Sequence, residues 1–129
     1  MSTTHSTAAR NAATDAVTAL IGASGKLKFR LSGTVGSPGT AAATLSLSAT
    51  AFAASSSGTA TANAITDDTN ATGNATAVST ATLETSGGTV VIHTDVAASA
   101  GSINMSNGLT IFNGDTVSCS SLTYTALPG

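Results

Sequence analysis

The stretch KLKFRL at residues 26–31 decides the fold class, because large apolar and basic side chains alternate in it without exception. Three apolar residues fall on one side of an extended chain and three basic residues on the other: Leu27, Phe29 and Leu31 against Lys26, Lys28 and Arg30. A period of two is typical of a strand with one buried face and one face toward solvent. We therefore predict a half-buried β-strand with a basic outer row.

Short segments of similar character recur through the rest of the chain, separated by clusters of Gly, Asn, Ser and Asp that are typical of turns. Further strands are predicted at residues 45–52, 59–65, 75–83, 89–94, 103–105, 109–112 and 117–124. The Ser86-Gly87-Gly88 sequence predicts a hairpin between the fourth and fifth of the eight predicted strands.

The last predicted strand changes phase along its length. Val117 and Cys119 are in phase with each other, whereas Leu122 and Tyr124 are shifted by one residue. A β-bulge at residues 120–121 would place all four side chains on the core face.

One helix is predicted, at residues 7–22. Ser6 or Thr7 can cap its start, and Gly22 is well placed to end it. Its small apolar residues recur at spacings of three and four, and we expect the face that they form to pack on a sheet: Ala9, Ala13, Ala16, Val17 and Leu20.

The predicted fold class is mainly β, an antiparallel β-sandwich or jelly-roll-like barrel with one N-terminal α-helix. We expect a single domain over residues 1–129, with an N-terminal arm at 1–6, the helix at 7–22 and strands over 26–126.

The composition limits the size of the hydrophobic core. The 129 residues include 25 alanines but only 27 residues of Val, Ile, Leu, Met, Phe or Tyr. A domain with so few large apolar side chains gains stability by burying surface in an assembly. The single cysteine, Cys119, excludes an internal disulfide, and the N-terminal residues lack a secretory signal pattern, so we expect folding in a cytoplasm.

Candidate catalytic and metal-binding residues are sparse. His93 has no second ligand at metal spacing, and Asp67-Asp68 with Asn70 fits turn chemistry better than a calcium loop, whose Gly and terminal Glu are missing. The serine-rich chain has no Gly-x-Ser-x-Gly elbow and no phosphate-binding fingerprint. We expect no enzymatic activity, no cofactor and no metal.

Charge is distributed unevenly along the sequence. Residues 1–30 carry a net charge of +3 and residues 31–129 carry −5. The basic row is either an ordinary solvated strand face or a face that docks on an acidic partner by charge complementarity. A nucleic-acid site fits less well, because three basic residues on one strand without interleaved aromatics make a poor phosphate track.

Three segments resemble a family of small virion structural proteins of tailed bacteriophages: ARNAATDAVTALIG at 9–22, LSLSATAFAASSSGTATANAITDDTNATG at 45–73 and GLTIFNGDTVSCSSLTYT at 108–125. Cys119 stands where the family pattern leads us to expect an aliphatic residue. The resemblance implies a virion component, with a head decoration (cement) protein as the best fit in size and composition, and it supplies no catalytic motif.

From the charge pattern and the resemblance together we expect a protein made in the host cytoplasm and located on the capsid surface. Its expected partners are the major capsid protein and further copies of itself, as a trimer or dimer, with no nucleic acid and no membrane. The alternatives are a tail or head–tail joining component, or a surface carbohydrate-binding adhesion module. The expected partner-binding residues are Thr3, His5, Arg10, Lys26, Lys28 and Arg30.

Overall fold

The computed structural model describes residues 3–105 and 108–127. In this part of the chain one helix is followed by seven short strands. They are α1 (Thr7–Ala19), β1 (Lys26–Arg30), β2 (Ala41–Ser46), β3 (Thr59–Thr61), β4 (Thr80–Glu84), β5 (Val90–Ala97), β6 (Ile103–Asn104) and β7 (Thr123–Thr125). The expectation of a mainly β fold with one N-terminal helix is confirmed.

The strands form a curled five-stranded sheet in the order β2-β1-β4-β5-β6 and a two-stranded sheet of β3 and β7. All neighbours are antiparallel except β5 and β6, so the larger sheet is mixed. The parallel pair is short: Val96 pairs with Ile103 and Ala97 pairs with Asn104. The Asp95 carboxylate stabilises the connection from β5 to β6. It accepts hydrogen bonds from the backbone N–H and the hydroxyl of Ser102, at 3.2 and 2.6 Å.

The predicted strand at residue 26 and the predicted hairpin are confirmed. β4 and β5 pair across the turn, where the Thr85 N–H donates to the Thr89 carbonyl at 2.9 Å. The second strand lies earlier than predicted, because alanines at 41–43 pair with β1. Residues 109–112 form no strand; the carbonyls of Leu109 and Ile111 instead accept hydrogen bonds from Val78 and Asn74.

The last predicted strand is mostly irregular, and no single bulge restores its phase. Val117 makes an isolated bridge with Asp68, and regular pairing resumes only at β7. Even so, Val117 is buried, and Cys119, Leu122 and Tyr124 pack half-buried against the core. The predicted inward orientation is therefore reached through an irregular segment.

The hydrophobic core lies on one face of the five-stranded sheet. Leu27 and Phe29 of β1 are flanked by Leu45 and Ala43 of β2 on one side and by Leu83 and Ala81 of β4 on the other. All six are buried. Small side chains fill much of the remaining core, in which Ala42, Ala51, Ala60 and Ala71 are at most 5% exposed.

The helix begins as predicted but packs through a different face. The Ser6 hydroxyl caps it by accepting from the Ala9 N–H at 3.1 Å, and its last residue, Ala19, comes three positions before Gly22. Its buried side chains are Thr14 and Thr18, whereas Leu20 is 65% exposed. The prediction that the apolar stripe packs on a sheet is wrong.

The turn between α1 and β1 depends on a close approach at Gly25. A Cβ atom at this position would lie 2.3 Å from Cγ2 of Ile21 and 2.8 Å from the carbonyl oxygen of Glu84. Only glycine leaves room for Ile21, which is 1% exposed, to cover the end of the sheet.

Candidate partner-binding surface

The basic row lies on the face of the five-stranded sheet opposite the hydrophobic core, as the alternation predicts. Lys26, Lys28 and Arg30 of β1 stand opposite Glu84, Thr82 and Thr80 of β4, and the first two stand opposite Ser46 and Thr44 of β2. This face is polar throughout its centre. It is therefore the natural place to test the expected docking of an acidic partner.

Two of the three basic side chains are tied to an internal carboxylate. Nη2 of Arg30 donates to Oε2 of Glu84 at 2.6 Å, and Nζ of Lys28 lies 3.2 Å from Oε1. Thr82 completes the cluster, because its hydroxyl donates to Oε2 of Glu84 and accepts from Nε of Arg30 at 3.0 Å. Arg30 also donates to the Gly39 carbonyl. The row therefore does not offer three free cations.

Glu84 is 0% exposed and remains an ion at this buried position. Burial alone raises the pKa of its carboxyl, but hydrogen bonds from Arg30, Thr82 and Lys28, with the charge of Lys28, outweigh that effect and hold the pKa below its ordinary value. These donors therefore offset the desolvation cost of the buried carboxylate. Lys28 and Arg30 supply the two positive charges that pair with it.

Lys26 is the least committed member of the row. It is half-buried, and its ammonium group donates to the Ser46 hydroxyl at 3.1 Å, a contact between one cation and one neutral group. Three cations share this face with two carboxylates, Glu84 and the Asp95 of β5, which stands opposite Thr80, so the face carries one net positive charge. An acidic partner would meet this excess, with Lys26 as the cation of the row that is not paired with Glu84.

The remaining predicted binding residues lie at the N-terminus, away from the sheet face. Thr3 and His5 are exposed in the arm before α1. Arg10 is half-buried in the helix, and its guanidinium donates to the Ser57 carbonyl and covers Gly58. The structure therefore divides the six expected residues between the sheet face and the N-terminal arm and helix.

Sequence reasoning missed the role of Glu84. It is the only glutamate in the chain, and the antiparallel pairing of β1 with β4, which the sequence did not predict, places it on the basic face. The sequence does not give the register between β1 and β4. Once that register is known, a single glutamate opposite a lysine–arginine row predicts an ion pair.

The residues considered for metal binding take part in the fold: Asp68 accepts backbone hydrogen bonds, and His93 is part of the sheet. Asp68 accepts a hydrogen bond from the Asn70 N–H at 3.0 Å, which is turn chemistry, and one from the Thr44 N–H of β2 at 2.9 Å. His93 lies on the polar sheet face opposite Thr82. Within residues 3–105 and 108–127, no three His, Cys, Asp or Glu side chains come together as a metal site.

A polar groove of about 540 Å³ runs between the end of the five-stranded sheet and the irregular segment before β7. Seven of its lining residues are serine or threonine, and Phe29 and Cys119 also line it. Burial raises the pKa of the Cys119 thiol, with a weaker opposing effect from the Ser121 carbonyl contact. A thiol of this kind is a poor nucleophile.

No helix in the described part of the chain has the length and apolar character needed to cross a bilayer. The chain matches no protein-family model, no curated protein and no solved structure.

Proposed function

We propose that this chain is a non-enzymatic structural protein of a tailed-bacteriophage virion, a head decoration protein that binds the capsid shell and stabilises it. The resemblance of residues 9–22, 45–73 and 108–125 supports a virion role. The observation that carries the structural role is the closed cluster of Lys28, Glu84 and Arg30. Its charges bind one another across neighbouring strands and leave none free as an acid, base or nucleophile.

This cluster rigidifies the sheet on which it lies. Arg30 and Glu84 belong to adjacent strands, and Thr82 hydrogen bonds to both of them. A buried network of hydrogen bonds and ion pairs between neighbouring strands favours one register of those strands. A rigid domain loses little conformational entropy when a lattice immobilises it, which favours binding to an assembled shell.

The contact with the shell would combine small side chains with a modest positive charge. Ala, Ser and Thr dominate the chain and lose little side-chain entropy on burial. The net positive charge of the sheet face that carries Lys26 favours an acidic surface of the major capsid protein. Stabilisation then follows from mass action, because a protein that binds only the assembled lattice raises the free energy needed to take it apart.

Binding to purified shells that lack this protein tests the proposal. We expect saturable binding at many symmetric copies per shell and a higher temperature of shell disruption. Lys26→Glu should lower occupancy, whereas Ala98→Glu, which adds a carboxylate at an exposed position outside this face, should not. Binding to purified tails but not to shells would replace the proposal with a tail component, and hits on a glycan array without shell binding would replace it with an adhesion module.

A further inference from the structure

The polar groove separates two walls whose backbone groups are not fully paired. One wall is β6, at the edge of the five-stranded sheet, and the other is the irregular segment at residues 118–121, which leads to β7 of the two-stranded sheet. Its volume of about 540 Å³ is within the range of specific binding sites. The groups on the two walls indicate what can fill it.

The β6 wall presents an open strand edge. The Met105 N–H donates to the Ala97 carbonyl at 2.8 Å, and because backbone groups alternate in direction along a strand, those of Asn104 point away from β5. Asn104 lines the groove, and no strand in the described ranges 3–105 and 108–127 pairs with this side of β6. The wall therefore offers a backbone donor and a backbone acceptor to one more strand.

The opposite wall is also unpaired. The backbone N–H groups of residues 118–121 form no hydrogen bond with any residue that the structure describes, and all four residues line the groove. On either side of this stretch the backbone is paired, because Val117 exchanges two hydrogen bonds with Asp68 and the Leu122 carbonyl accepts from Ala62. The gap in pairing therefore coincides with the groove, and a strand placed there would join the two sheets.

The groove suits a short strand with hydroxyl side chains. Neighbouring strands lie about 4.8 Å apart in layers about 10 Å thick, with a rise of about 3.3 Å per residue, so the groove holds about three residues of extended chain. Asp115 is the one charged residue among its described lining residues, so an acidic strand is disfavoured. The chain already pairs strands through hydroxyl groups, because Thr59 and Thr125 hydrogen bond across β3 and β7 at 2.7 Å.

The N-terminal arm has the properties of such a strand. Thr3, Thr4 and His5 are exposed and form no hydrogen bond within the described part of the chain. The backbone of Ser6, which follows them, is extended, with φ −63° and ψ 158°. Threonine favours strands, and the arm at residues 1–6 contains no acid. Because residues 3–5 are exposed, they do not fill the groove of their own chain.

We propose that residues 3–5 of one copy insert as an added strand into the groove of a second copy, between β6 and residues 118–121. The inserted strand pairs with the backbone of both walls, and its hydroxyl groups meet the serine and threonine side chains of the groove. Each copy carries one arm and one groove, so the exchange links copies into a closed dimer or ring. This inference deepens the proposed structural role, on which its biological meaning rests, by naming the contact through which copies join.

Photocrosslinking of the isolated protein locates the arm directly. With p-benzoylphenylalanine in place of Thr4, we expect crosslinks between chains that mass spectrometry maps to the groove, at residues 102–105 or 116–123. Mixing chains labelled with light and heavy nitrogen separates crosslinks between copies from those within one chain. The proposal is overturned if no crosslink joins two chains, or if the crosslinks between chains map outside the groove.

Sedimentation equilibrium over a wide concentration range gives a second readout. The mass of the wild-type protein should approach a multiple of 12.3 kDa. Thr4→Asp should weaken the association about tenfold, because it brings a carboxylate toward Asp115, whereas Thr4→Asn, which has a similar shape and no charge, should not. Ser118→Trp should also weaken it by filling the groove, and Ser86→Trp, at an exposed turn between β4 and β5, is the matched control.

A wild-type protein that stays a monomer at every concentration overturns the proposal even if it binds shells, which keeps this failure apart from failure of the proposed function. So does an oligomer that Thr4→Asp and Ser118→Trp both leave intact, or one that the two control variants also dissociate. Circular dichroism checks that each variant retains the fold.

Discussion

Glu84 and Arg30 form an ion pair of 2.6 Å on the outward face of the sheet, yet the glutamate side chain has no exposure to solvent. Arg30 is itself buried, and Lys28, the more exposed of the two cations, binds the other oxygen of the carboxylate. The charges of the cluster are unequal, because two cations pair with one anion. Loss of the anion leaves two neighbouring like charges without a counter-charge.

Glu84→Gln should lower the free energy of unfolding by about 3 kcal/mol, the lower part of the range for breaking a buried pair, because the amide still accepts hydrogen bonds but carries no charge. Denaturant unfolding measures the change. Asp67→Asn is the matched control, because it also converts a carboxylate to an amide but at an exposed position. Equal losses of unfolding free energy in the two variants would contradict the claim that the Glu84 cluster stabilises the sheet.

Acid should weaken the fold through the same carboxylate. The folded pKa of Glu84 is lowered from the ordinary value of 4.5, so its contribution to stability is fully present above pH 4.5 and is lost as the pH falls through the lower folded pKa. Urea midpoints measured from neutral to acid pH should fall below pH 4.5. The fall should be smaller in Glu84→Gln, and an identical pH dependence in both proteins would contradict the assignment.

Gly25→Ala should destabilise the protein by about 2 kcal/mol, because the added methyl group overlaps Ile21 and the Glu84 backbone and forces them to move. Gly36→Ala is the control, since a Cβ atom there meets nothing within 4 Å. Thermal unfolding compares the two. A stable Gly25 variant beside a wild-type-like Gly36 variant would show that the close turn is not a requirement of the fold.

Thr14→Val should detach α1 more readily, at a cost of about 2 kcal/mol, because a methyl group of the same shape leaves two buried backbone groups without partners. These groups are the Gly58 carbonyl and the Ala126 N–H, which the Thr14 hydroxyl contacts at 2.6 and 3.1 Å. Hydrogen exchange of the helix amides measures the detachment. The same substitution at Thr7, which is exposed at the start of the helix, should leave that exchange unchanged.

The sequence pattern was sufficient for the sheet where large side chains alternate with charged ones. Leu27 and Phe29 define β1, and the Gly87-Gly88 turn defines the hairpin, because burial of bulky residues and turn geometry are both local properties. The pattern was insufficient in the alanine-rich segments. There small side chains give little preference between faces, and hydrogen bonds decide the packing.

Helix α1 shows this limit most clearly. Periodicity predicted that its alanines would face the protein, but the hydrogen bonds of Asn11, Thr14 and Asp15 to one distant loop turn them outward. These contacts span 40 to 47 residues of sequence, so no local pattern contains that information. The Glu84 cluster was hidden for the same reason, since it depends on the register between β1 and β4.

The proposed virion role is tested most directly by a cryo-electron microscopy reconstruction of an intact phage particle in which this chain is located and its copies are counted. We predict many symmetric copies on the outside of the capsid shell, in contact with the major capsid protein. A chain that is absent from the particle, or present only as a few copies on the tail axis, would contradict the proposed role.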